Sequence, residues 1–530
     1  MSEITAQEIA KKHQKDVSYK KKLSLYDNVK KQENFYNGKQ WEGVNAPDLP
    51  KPTLNFIKRV VNWLISVLIV DDVGIAISNY SSGDINNLTE SEGYLKLKEI
   101  LPTEIERINE NIKLKSKLRN SLLNGAVDGD VGLYVRFDPD KTNIKSKNDN
   151  ALSPVQGEIT AEIVDNTNIH FGNHMISEVQ EQPYIILSRA ELTSELKNKY
   201  PEKAENIKPD SDESIEDTEE EITTELLYFY KENGTVHFIS CTKDVILIED
   251  TDTEQSLYPL SFFSWERKKK SCHGISVVEE IIPNQIAVNK LWAMAILFCQ
   301  NNAFPKIFVD KTKVPEWNNN VGSVMGVIGN PNDAFASSFK GYDMSNQVII
   351  LVDKIIAYTK EFMGANDAVL GNVNPTNTSA LIQMQKASAM PLELQRIAFY
   401  QFIEDYVRIA VDIIRTKYGI RIVENKDGKK LAVDFGELDY NADIRVDIGA
   451  ASAWSEVSQI QTMNNLFQAG IITDAELYLD SIPDRILPNK NKILEHIREK
   501  KEELIEQQQM AVQGVQILTD GGVLNEMQMQ

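Results

Sequence analysis

One segment constrains the fold of this chain more than any other: residues 284–302 are predicted to form a helix that is apolar on all sides over part of its length. No charged side chain interrupts the run between Leu291 and Cys299. Such a helix must be buried on several sides, either by its own fold or by neighbouring chains. Pro283 fits its first turn, where a missing amide hydrogen costs nothing. The sequence does not show whether its own fold or neighbouring chains bury this helix.

The composition sets limits on the rest of the chain. Its 530 residues are 42% hydrophobic and 25% charged, which is typical of globular proteins and allows about three or four structural units. The net charge of −21 argues against a protein that coats nucleic acid by charge neutralisation, but allows one that stays near DNA without adhering to it. Three widely spaced cysteines indicate a reducing compartment.

Neither a secretory signal nor a membrane span is predicted. The longest apolar stretch, residues 60–70, has about half the roughly 20 residues that a membrane helix needs, and Asp71 and Asp72 follow it. We therefore expect residues 56–70 to form a buried helix.

The sequence lacks the common catalytic motifs. There is no phosphate-binding glycine loop followed by Lys and Ser or Thr, no His-Glu-x-x-His and no Gly-x-Ser-x-Gly. The six histidines are expected at surface or packing positions. Asp128, Asp130 and Asp138 lie in stretches that read as turns, because they lack the glycine and glutamate spacing of a calcium loop. We predict no enzyme activity, no catalytic residue, no metal and no cofactor.

Hydrophobic spacing predicts the elements of the amino-terminal half. We expect one exposed polar helix at 19–36, a proline-rich linker at 47–52, and a helix at 105–124 that ends at Gly125. Alternating strands then make residues 131–265 rich in sheet, so the fold class is α+β. Within them, residues 201–225 carry eleven acidic side chains against Lys203 and Lys208 and are predicted to be a solvated loop.

The second half is more helical. Short strands and turns at 304–345 lead to a second helix at 346–363 and then to a polar loop rich in asparagine. Ser379 looks like the N-cap of a long helix to Tyr418, and Pro391 should kink it near Met390. Strands are expected at 420–435 and 443–448, and helices from residue 454 onward.

Several local sequences, in this order, resemble the portal (head–tail connector) proteins of tailed double-stranded DNA bacteriophages. Each match is weak alone, but their order and spacing are specific. The matching segments are 35–41 (FYNGKQW), 125–132 (GAVDGDVG), 258–265 (YPLSFFSW), 274–289 (GISVVEEIIPNQIAVN), 377–380 (NTSA), 404–406 (EDY) and 443–449 (DIRVDIG).

The resemblance implies a ring, usually of twelve subunits, built from a sheet-containing wing, a two-helix stem, a small α/β clip, a long kinked helix and a helical crown. The corresponding segments are the wing 1–275 with the acidic insertion 201–225, the first stem helix 276–302, the clip 303–345, the second stem helix 346–363, the tunnel loop 364–378, the kinked helix with the wing return 379–450, and the crown with the tail 451–530.

The same resemblance implies roles for residues in three of these segments. The tunnel loop would touch DNA weakly through neutral side chains, the stem would pack subunits together, and the clip would dock other proteins. The DNA-channel residues are Asn366, Asp367, Asn372, Asn374, Thr376 and Asn377. The stem-packing residues are Leu291, Trp292, Met294, Ile296, Phe298, Ile355 and Ile356. The clip residues are Lys311, Lys313, Trp317 and Asn318.

The implied function is a conduit for double-stranded DNA at one capsid vertex during packaging and ejection. Its partners would be further copies of the chain, duplex DNA, the terminase large subunit, head–tail adaptor or tail proteins, and the major capsid and scaffold proteins, with no membrane. It would be assembled in the host cytoplasm and reside in the virion. Two alternatives stay open: a metal-dependent nuclease built on Asp128, Asp130 and Asp138, and a monomeric helical scaffold protein.

Overall fold

The architecture is taken from a computed structural model of the chain, which belongs to the α+β class. Its contacts divide it into two units, one made of residues 1–69 and 74–446 and the other of residues 70–73 and 447–530. The structure describes residues 4–69, 73–78, 92–142, 156–210, 221–303, 307–316, 326–330, 332, 336–338, 346–364, 390–424, 430–437, 443–448, 462–470, 478–479, 490, 493–494 and 496–497.

The helices of the first unit fall into an amino-terminal group and a later group. They are α1 (Ala6–Lys22), α2 (Leu25–Asn37), α3 (Phe56–Leu68), α4 (Glu92–Asn111), α5 (Leu114–Asp128), α6 (Thr193–Lys199), α7 (Val277–Ala303), α8 (Gln347–Phe362) and α9 (Glu393–Lys417). In the second unit, residues 462–468 are helical, and the ring centroids of Phe467 and Tyr478 lie 4.7 Å apart.

The strands are β1 (Val73–Ser78), β2 (Asp130–Thr142), β3 (Gln156–Asp165), β4 (Ile169–Phe171), β5 (Tyr184–Leu192), β6 (Ile222–Glu232), β7 (Thr235–Cys241), β8 (Ile246–Asp252), β9 (Leu260–Ser264), β10 (Ile307–Val309), β11 (Ala336–Ser338), β12 (Ile420–Glu424), β13 (Lys430–Asp434) and β14 (Asp443–Ile448). Two larger sheets have the orders β4-β5-β6-β7-β8 and β3-β2-β9. The pairs β1-β14, β10-β11 and β12-β13 form two-stranded sheets.

The five-stranded sheet has a core on each of its faces. On one face, Ala6 and Ile9 of α1 pack with Ile186, Tyr228 and Ile239. The other face packs against the three-stranded sheet through a cluster that includes Tyr134, Ile169, Phe229, Tyr258 and Leu260. Side chains alternate across each strand, so one sheet can supply both cores.

Helix α3 forms as its apolar sequence predicts, and its own fold buries it. Asn55 caps it by accepting a hydrogen bond from the Lys58 amide at 3.1 Å. Seven side chains are buried: Phe56, Ile57, Val60, Val61, Leu64, Ile65 and Leu68. Neighbouring α5 packs so closely on β9 that a Cβ at Gly125 would lie 2.6 Å from the Phe263 ring. The prediction of a buried helix rather than a membrane span at this stretch is confirmed.

Two helix predictions were wrong in detail. The expected exposed helix at 19–36 is two helices, because the chain turns at Ser24 with a left-handed φ of 53°. Lys20 near the end of α1 and Phe35 near the end of α2 are both buried, so neither helix is exposed on all sides. The helix expected at 105–124 likewise divides at Lys113, which has a φ of 55°.

The acidic segment 201–225 was predicted to be a solvated loop, and at both ends this is wrong. Residues Pro201–Asn206 form a 3-10 helix, and Ile207 is buried against Leu196 and Leu247. Its last residues belong to β6, where the buried Glu225 accepts a 2.6 Å hydrogen bond from the Ser240 hydroxyl. The acidic composition favoured a loop, although residues 222–225 also have the alternating pattern of a strand. Residues 211–220 lie outside the described part of the chain.

The remaining strands agree with expectation, and at the position predicted for the kink the chain departs from α-helix. Each strand predicted between residues 131 and 265 is present, and β12, β13 and β14 lie at 420–435 and 443–448 as predicted. At the predicted kink, Met390–Leu392 form a 3-10 turn, and α9 begins at Glu393. Residues 379–389 of the predicted long helix lie outside the described residues.

Candidate assembly site on the paired helices

Helix α7 starts inside the core of the first unit. Ser276 is buried, and its hydroxyl accepts hydrogen bonds from the Val278 and Glu279 amides at 3.0 and 3.3 Å. The same hydroxyl donates to the Ala126 carbonyl at 3.2 Å. One side chain therefore caps the helix and ties it to α5.

A chain of buried amides holds the next turns of α7. Gln285 is fully buried and donates from Nε2 to the Leu54 carbonyl at 2.7 Å and to Asn289 Oδ1 at 3.0 Å. Asn289 then donates to Gln40 Oε1 at 2.6 Å, and Gln40 donates to the Phe35 carbonyl at 3.1 Å. Buried amides need such partners, so this network orients α7 against the amino-terminal segment.

The second helix, α8, packs against α7 through a narrow polar contact. Asn284 donates from Nδ2 to Thr359 Oγ1 at 3.0 Å, and Thr359 donates to the Ile355 carbonyl at 2.7 Å. Val352 and Thr359 are the buried residues of α8. They are seven positions apart, which places them on one face of the helix.

Next to this contact, the helix pair exposes large apolar side chains. Phe362 is 83% exposed, Tyr358 53% and Met294 61%. Leu351, Ile355, Tyr358 and Phe362 follow one another at intervals of four, three and four residues, so they form a continuous stripe, called here the α8 stripe. An apolar stripe of this spacing is typical of a helix that packs against another helix, and three of its four side chains, Leu351, Tyr358 and Phe362, are exposed.

The stem residues predicted from sequence lie on this helix pair. Met294 is exposed, and Leu291, Trp292, Ile296, Phe298, Ile355 and Ile356 are partly buried. Among the described residues, the buried Trp292 Nε1 has no hydrogen-bond acceptor. The residues predicted from sequence do not include Leu351, Tyr358 and Phe362, although their helical spacing with Ile355 is visible in the sequence.

The other predicted site residues are placed only in part. Lys311 is exposed and Lys313 partly exposed, next to the β10–β11 hairpin in which Phe308 pairs with Ser337. The Lys313 carbonyl accepts a hydrogen bond from the Ile328 amide at 2.9 Å. Trp317 and Asn318 lie outside the described residues, as do all of the predicted DNA-channel residues: Asn366, Asp367, Asn372, Asn374, Thr376 and Asn377.

The three aspartates of the alternative nuclease site have separate surroundings. Asp130 is buried and accepts hydrogen bonds from His273 Nδ1 at 3.0 Å and from the Gly274 amide at 2.9 Å. Asp128, at the end of α5, has its pKa raised to about 8 by burial and by the carboxylates around it. Asp138 lies farther along β2, 3.9 Å from Arg136. Within the described ranges, no three histidine, cysteine or acidic side chains are arranged to hold a metal ion.

Helix α7 is also long and apolar enough to cross a membrane, by length and composition alone. This holds for Val277–Asn302, and it is the one such helix in the part of the chain that the structure describes. Its first half, however, is packed against α2, α3 and α5 and carries the buried amides Gln285 and Asn289. Those contacts are typical of a helix rooted in a globular unit.

A comparison with protein families identifies the group to which this fold belongs. The model of the phage P22-like portal proteins matches residues 146–530, which include most of the sheet region, α7 and α8. The chain belongs to the phage P22-like portal protein family. No curated protein matches the sequence.

Family membership gives the apolar helix pair a context. Portal proteins are structural, non-enzymatic components of the phage capsid that act as head–tail connectors and take part in genome packaging. They assemble as oligomers with other phage proteins. The resemblance found in the sequence is therefore confirmed at the level of the family.

Proposed function

We propose that copies of this chain form a closed ring, usually of twelve subunits, at one capsid vertex, and that double-stranded DNA passes through the ring during packaging and ejection. The terminase large subunit would dock on it during packaging, and head–tail adaptor or tail proteins would dock afterwards. The ring would assemble in the host cytoplasm with the major capsid and scaffold proteins.

The observation that carries this proposal is the exposed α8 stripe. Each Å² of apolar surface that stays in contact with water forgoes about 25 cal/mol of burial free energy. A ring removes it from water by repeating one heterologous contact, in which a face of one subunit meets a different face of the next. Met294 and the partly buried Trp292 on α7 offer such a second face.

In this proposal each segment keeps the role that the sequence predicts. The wing comprises 1–275 with 379–450, α7 and α8 form the stem, and the clip is 303–345. The crown is 451–530. The loop 364–378 is the channel segment, since its asparagine and threonine side chains hydrogen-bond phosphates without the strong counterion release that would hold DNA in place. The net charge of −21 on each chain further disfavours adhesion of DNA to the wall.

Particle mass and shape test the ring directly. The full-length protein is purified and examined by mass photometry and negative-stain microscopy. We expect particles with an axial hole and a mass that is a multiple of 60.0 kDa. A compact particle of single-chain mass at micromolar concentration would contradict the ring and favour the monomeric scaffold alternative.

The nuclease alternative needs a separate assay. The protein is incubated with linear and supercoiled duplex DNA in the presence of Mg²⁺ or Mn²⁺, beside a variant with Asp128→Asn and Asp130→Asn. Equal, background-level cleavage by both proteins is expected. Cleavage that disappears in the variant would establish the nuclease.

The channel loop is tested by deletion of residues 366–376. Rings should persist, while packaging or retention of DNA is impaired, because both stem helices precede the deleted residues and stay intact. Normal packaging by rings that lack residues 366–376 would show that this loop does not line the channel.

A further inference from the structure

A buried cluster of charged and titratable side chains lies where α1 meets the five-stranded sheet, far from the helix pair. Asp16 and Lys20, one turn apart on α1, are 3% and 0% exposed, and His170 on β4 is 1% exposed. Three of the six histidines, His13, His170 and His174, lie in this cluster, and a fourth, His273, lies beside it. The portal function uses none of them, so the cluster needs its own account.

Lys20 anchors the helix as a cation. Its ammonium group donates to the carbonyls of Asn166, Thr167 and Ile169 at 2.8, 3.1 and 2.6 Å. Three acceptors require all three N–H groups, which only the charged form has. Asp16 Oδ2 lies 3.5 Å away and balances that charge. Breaking a buried pair of this kind leaves an uncompensated charge, so the pair is a strong determinant of where α1 docks.

The histidines surround Asp16 from the sheet side. His170 Nδ1 lies 2.6 Å from Asp16 Oδ2, and its Nε2 lies 3.1 Å from the Ser188 hydroxyl. His174 Nδ1 lies 3.2 Å from Asp16 Oδ1 but is not aligned for a hydrogen bond, and its ring stacks on Tyr19 at 3.8 Å. His13 packs edge-on against His170 at 4.3 Å. In neutral His170, Nδ1–H donates to Asp16, and Nε2 accepts from the Ser188 hydroxyl, whose other acceptor is the Asn168 carbonyl at 3.4 Å.

The charges at this interface cancel when the histidines of the cluster are neutral. Burial lowers the pKa of Lys20, and the Asp16 carboxylate opposes that effect and balances the charge of the ammonium group. Asp130 balances the protonated His273, whose pKa is raised to about 10 because Asp130 outweighs its burial. Other titratable groups with an influence on the cluster are Lys15, Tyr19, Tyr26, Tyr184, Asp210 and Cys272. A proton on His13, His170 or His174 therefore adds positive charge next to the buried Lys20.

We propose that the Asp16–Lys20–His170–His174 cluster is an acid-sensitive latch that holds α1 on the five-stranded sheet, so that acidification loosens α1 before the surrounding fold.

The direction of the pH effect follows from the histidines. Burial lowers the pKa of His13, His170 and His174, and for His170 the value falls to about 3. The docked state therefore binds fewer protons than the released state, and docking weakens as pH falls below about 6.5. Asp16 adds to this loss only in stronger acid, because its pKa is lowered from an already acidic value. The groups that raise the pKa of His273, Asp130 and Cys272, do not lie on α1, so His273 stays protonated in both states between pH 7.5 and 5.5 and has no effect.

The size of the effect can be stated for His170 alone. Released, it titrates near its ordinary pKa of about 6.5, so at pH 5.5 the released state is favoured roughly tenfold more than at pH 7.5. His13 and His174 add to that factor, since their pKa values move in the same direction.

Hydrogen exchange of the full-length protein tests the latch. Protection of α1 amides is measured at pH 7.5 and 5.5, corrected for the chemical exchange rate, and compared with α3, which contains no histidine or carboxylate. We expect the protection of α1 to fall at least about tenfold and that of α3 to stay constant. Equal changes in the two helices would overturn the proposal.

Variants identify the groups responsible. In His170→Gln and in His174→Gln, the ratio of α1 protection between the two pH values should shrink towards one, whatever the absolute protection. The matched control is His237→Gln, because His237 Nδ1 lies 3.1 Å from the half-exposed Asp250 carboxylate outside the latch. That control should keep the full ratio. An unchanged ratio in a variant lacking all three cluster histidines would also overturn the proposal.

If a histidine variant releases α1 at both pH values, its ratio is uninformative. A variant that breaks the latch at neutral pH then tests the proposal. Asp16→Asn removes the charge that balances Lys20, so α1 should already exchange roughly 100-fold faster at pH 7.5. Wild-type exchange of α1 in Asp16→Asn would show that the cluster does not hold the helix.

Discussion

Helices α3 and α8 have similar apolar sequences and opposite surroundings. Seven side chains of α3 are buried by the rest of the chain, whereas on α8 only Val352 and Thr359 are buried. Phe362 at the end of α8 is 83% exposed, while Leu64 in α3 is 1% exposed. Apolar composition therefore predicts that a helix is buried, but it does not predict whether the same chain or a neighbouring chain buries it.

Helix α7 contains both situations in one element. Its first half is fixed by Ser276, Gln285 and Asn289 in the core of the first unit. Its second half, which includes Met294, reaches solvent. The covered part stabilises the chain, and the uncovered part is available to a neighbouring subunit.

The largest effect is expected from truncation inside α3. Leu64→Ala removes a buried side chain and leaves a cavity, which should lower the free energy of unfolding by about 2–5 kcal/mol. Urea unfolding of the protein, followed by circular dichroism, measures the loss. Lys58→Ala on the exposed face of the same helix is the control and should change stability by less than about 0.5 kcal/mol. A loss below about 1 kcal/mol for Leu64→Ala would mean that α3 is not the covered helix.

The matching truncation on α8 should spare the chain and weaken the assembly. Phe362→Ala removes a side chain that is mostly exposed in the single subunit, so subunit stability should change by less than about 0.5 kcal/mol. If the neighbour covers this residue, each contact loses about 1.5–3 kcal/mol, or roughly 10–100-fold in its association constant.

Mass photometry over a dilution series measures that shift, with the adjacent exposed Glu361→Ala as the control. Rings that persist to the same dilution in Phe362→Ala and wild type would place the interface elsewhere.

The buried amide network should contribute next. Asn289→Ala leaves Gln40 Oε1 and Gln285 Nε2 without one partner each, at a cost of about 1–3 kcal/mol to the anchored half of α7. Thermal unfolding measures it, and Lys290→Ala, at the exposed neighbouring position, is the control. A variant as stable as wild type would mean that capping by Ser276 and apolar contacts suffice to fix α7.

Much of the fold could be predicted from the sequence, because strand alternation and helix length are local signals. The bounds of α8 were predicted to within a residue, and β12 to β14 lie where strands were expected. The helix predicted from hydrophobic pattern at 284–302 begins earlier, at Val277, so Pro283 lies inside α7 and not in its first turn. The portal resemblance, which implied 276–302, gave its start more closely. The contacts that fix α7 could not be predicted, since Asn289 and Gln40 are 249 residues apart in sequence. Nor could the turn at Ser24, because a left-handed serine has no composition signal.

The candidate site was predictable in position but not in orientation. The portal resemblance assigned the stem-packing residues to the segments that form α7 and α8, and that set contains more partly buried residues than exposed ones. The side chains left uncovered, Leu351, Tyr358 and Phe362, follow from which face of α8 contacts α7. That face is set by Asn284 and Thr359, a tertiary contact between residues 75 positions apart in sequence.

Thiol labelling perturbs the protein least, and it compares the exposed end of α7 with the buried core. Cys299, near the exposed end of α7, is exposed, whereas Cys241 and Cys272 are buried. One of the three thiols should therefore react rapidly with a thiol-specific reagent in dispersed subunits, and this reaction should disappear in Cys299→Ser. If the outer half of α7 lies between subunits, labelling of Cys299 should become slow after assembly, while the buried thiols stay slow throughout. Equal labelling of Cys299 before and after ring formation would mean that the end of α7 faces solvent in the ring, and would restrict the interface to α8 and the earlier turns of α7.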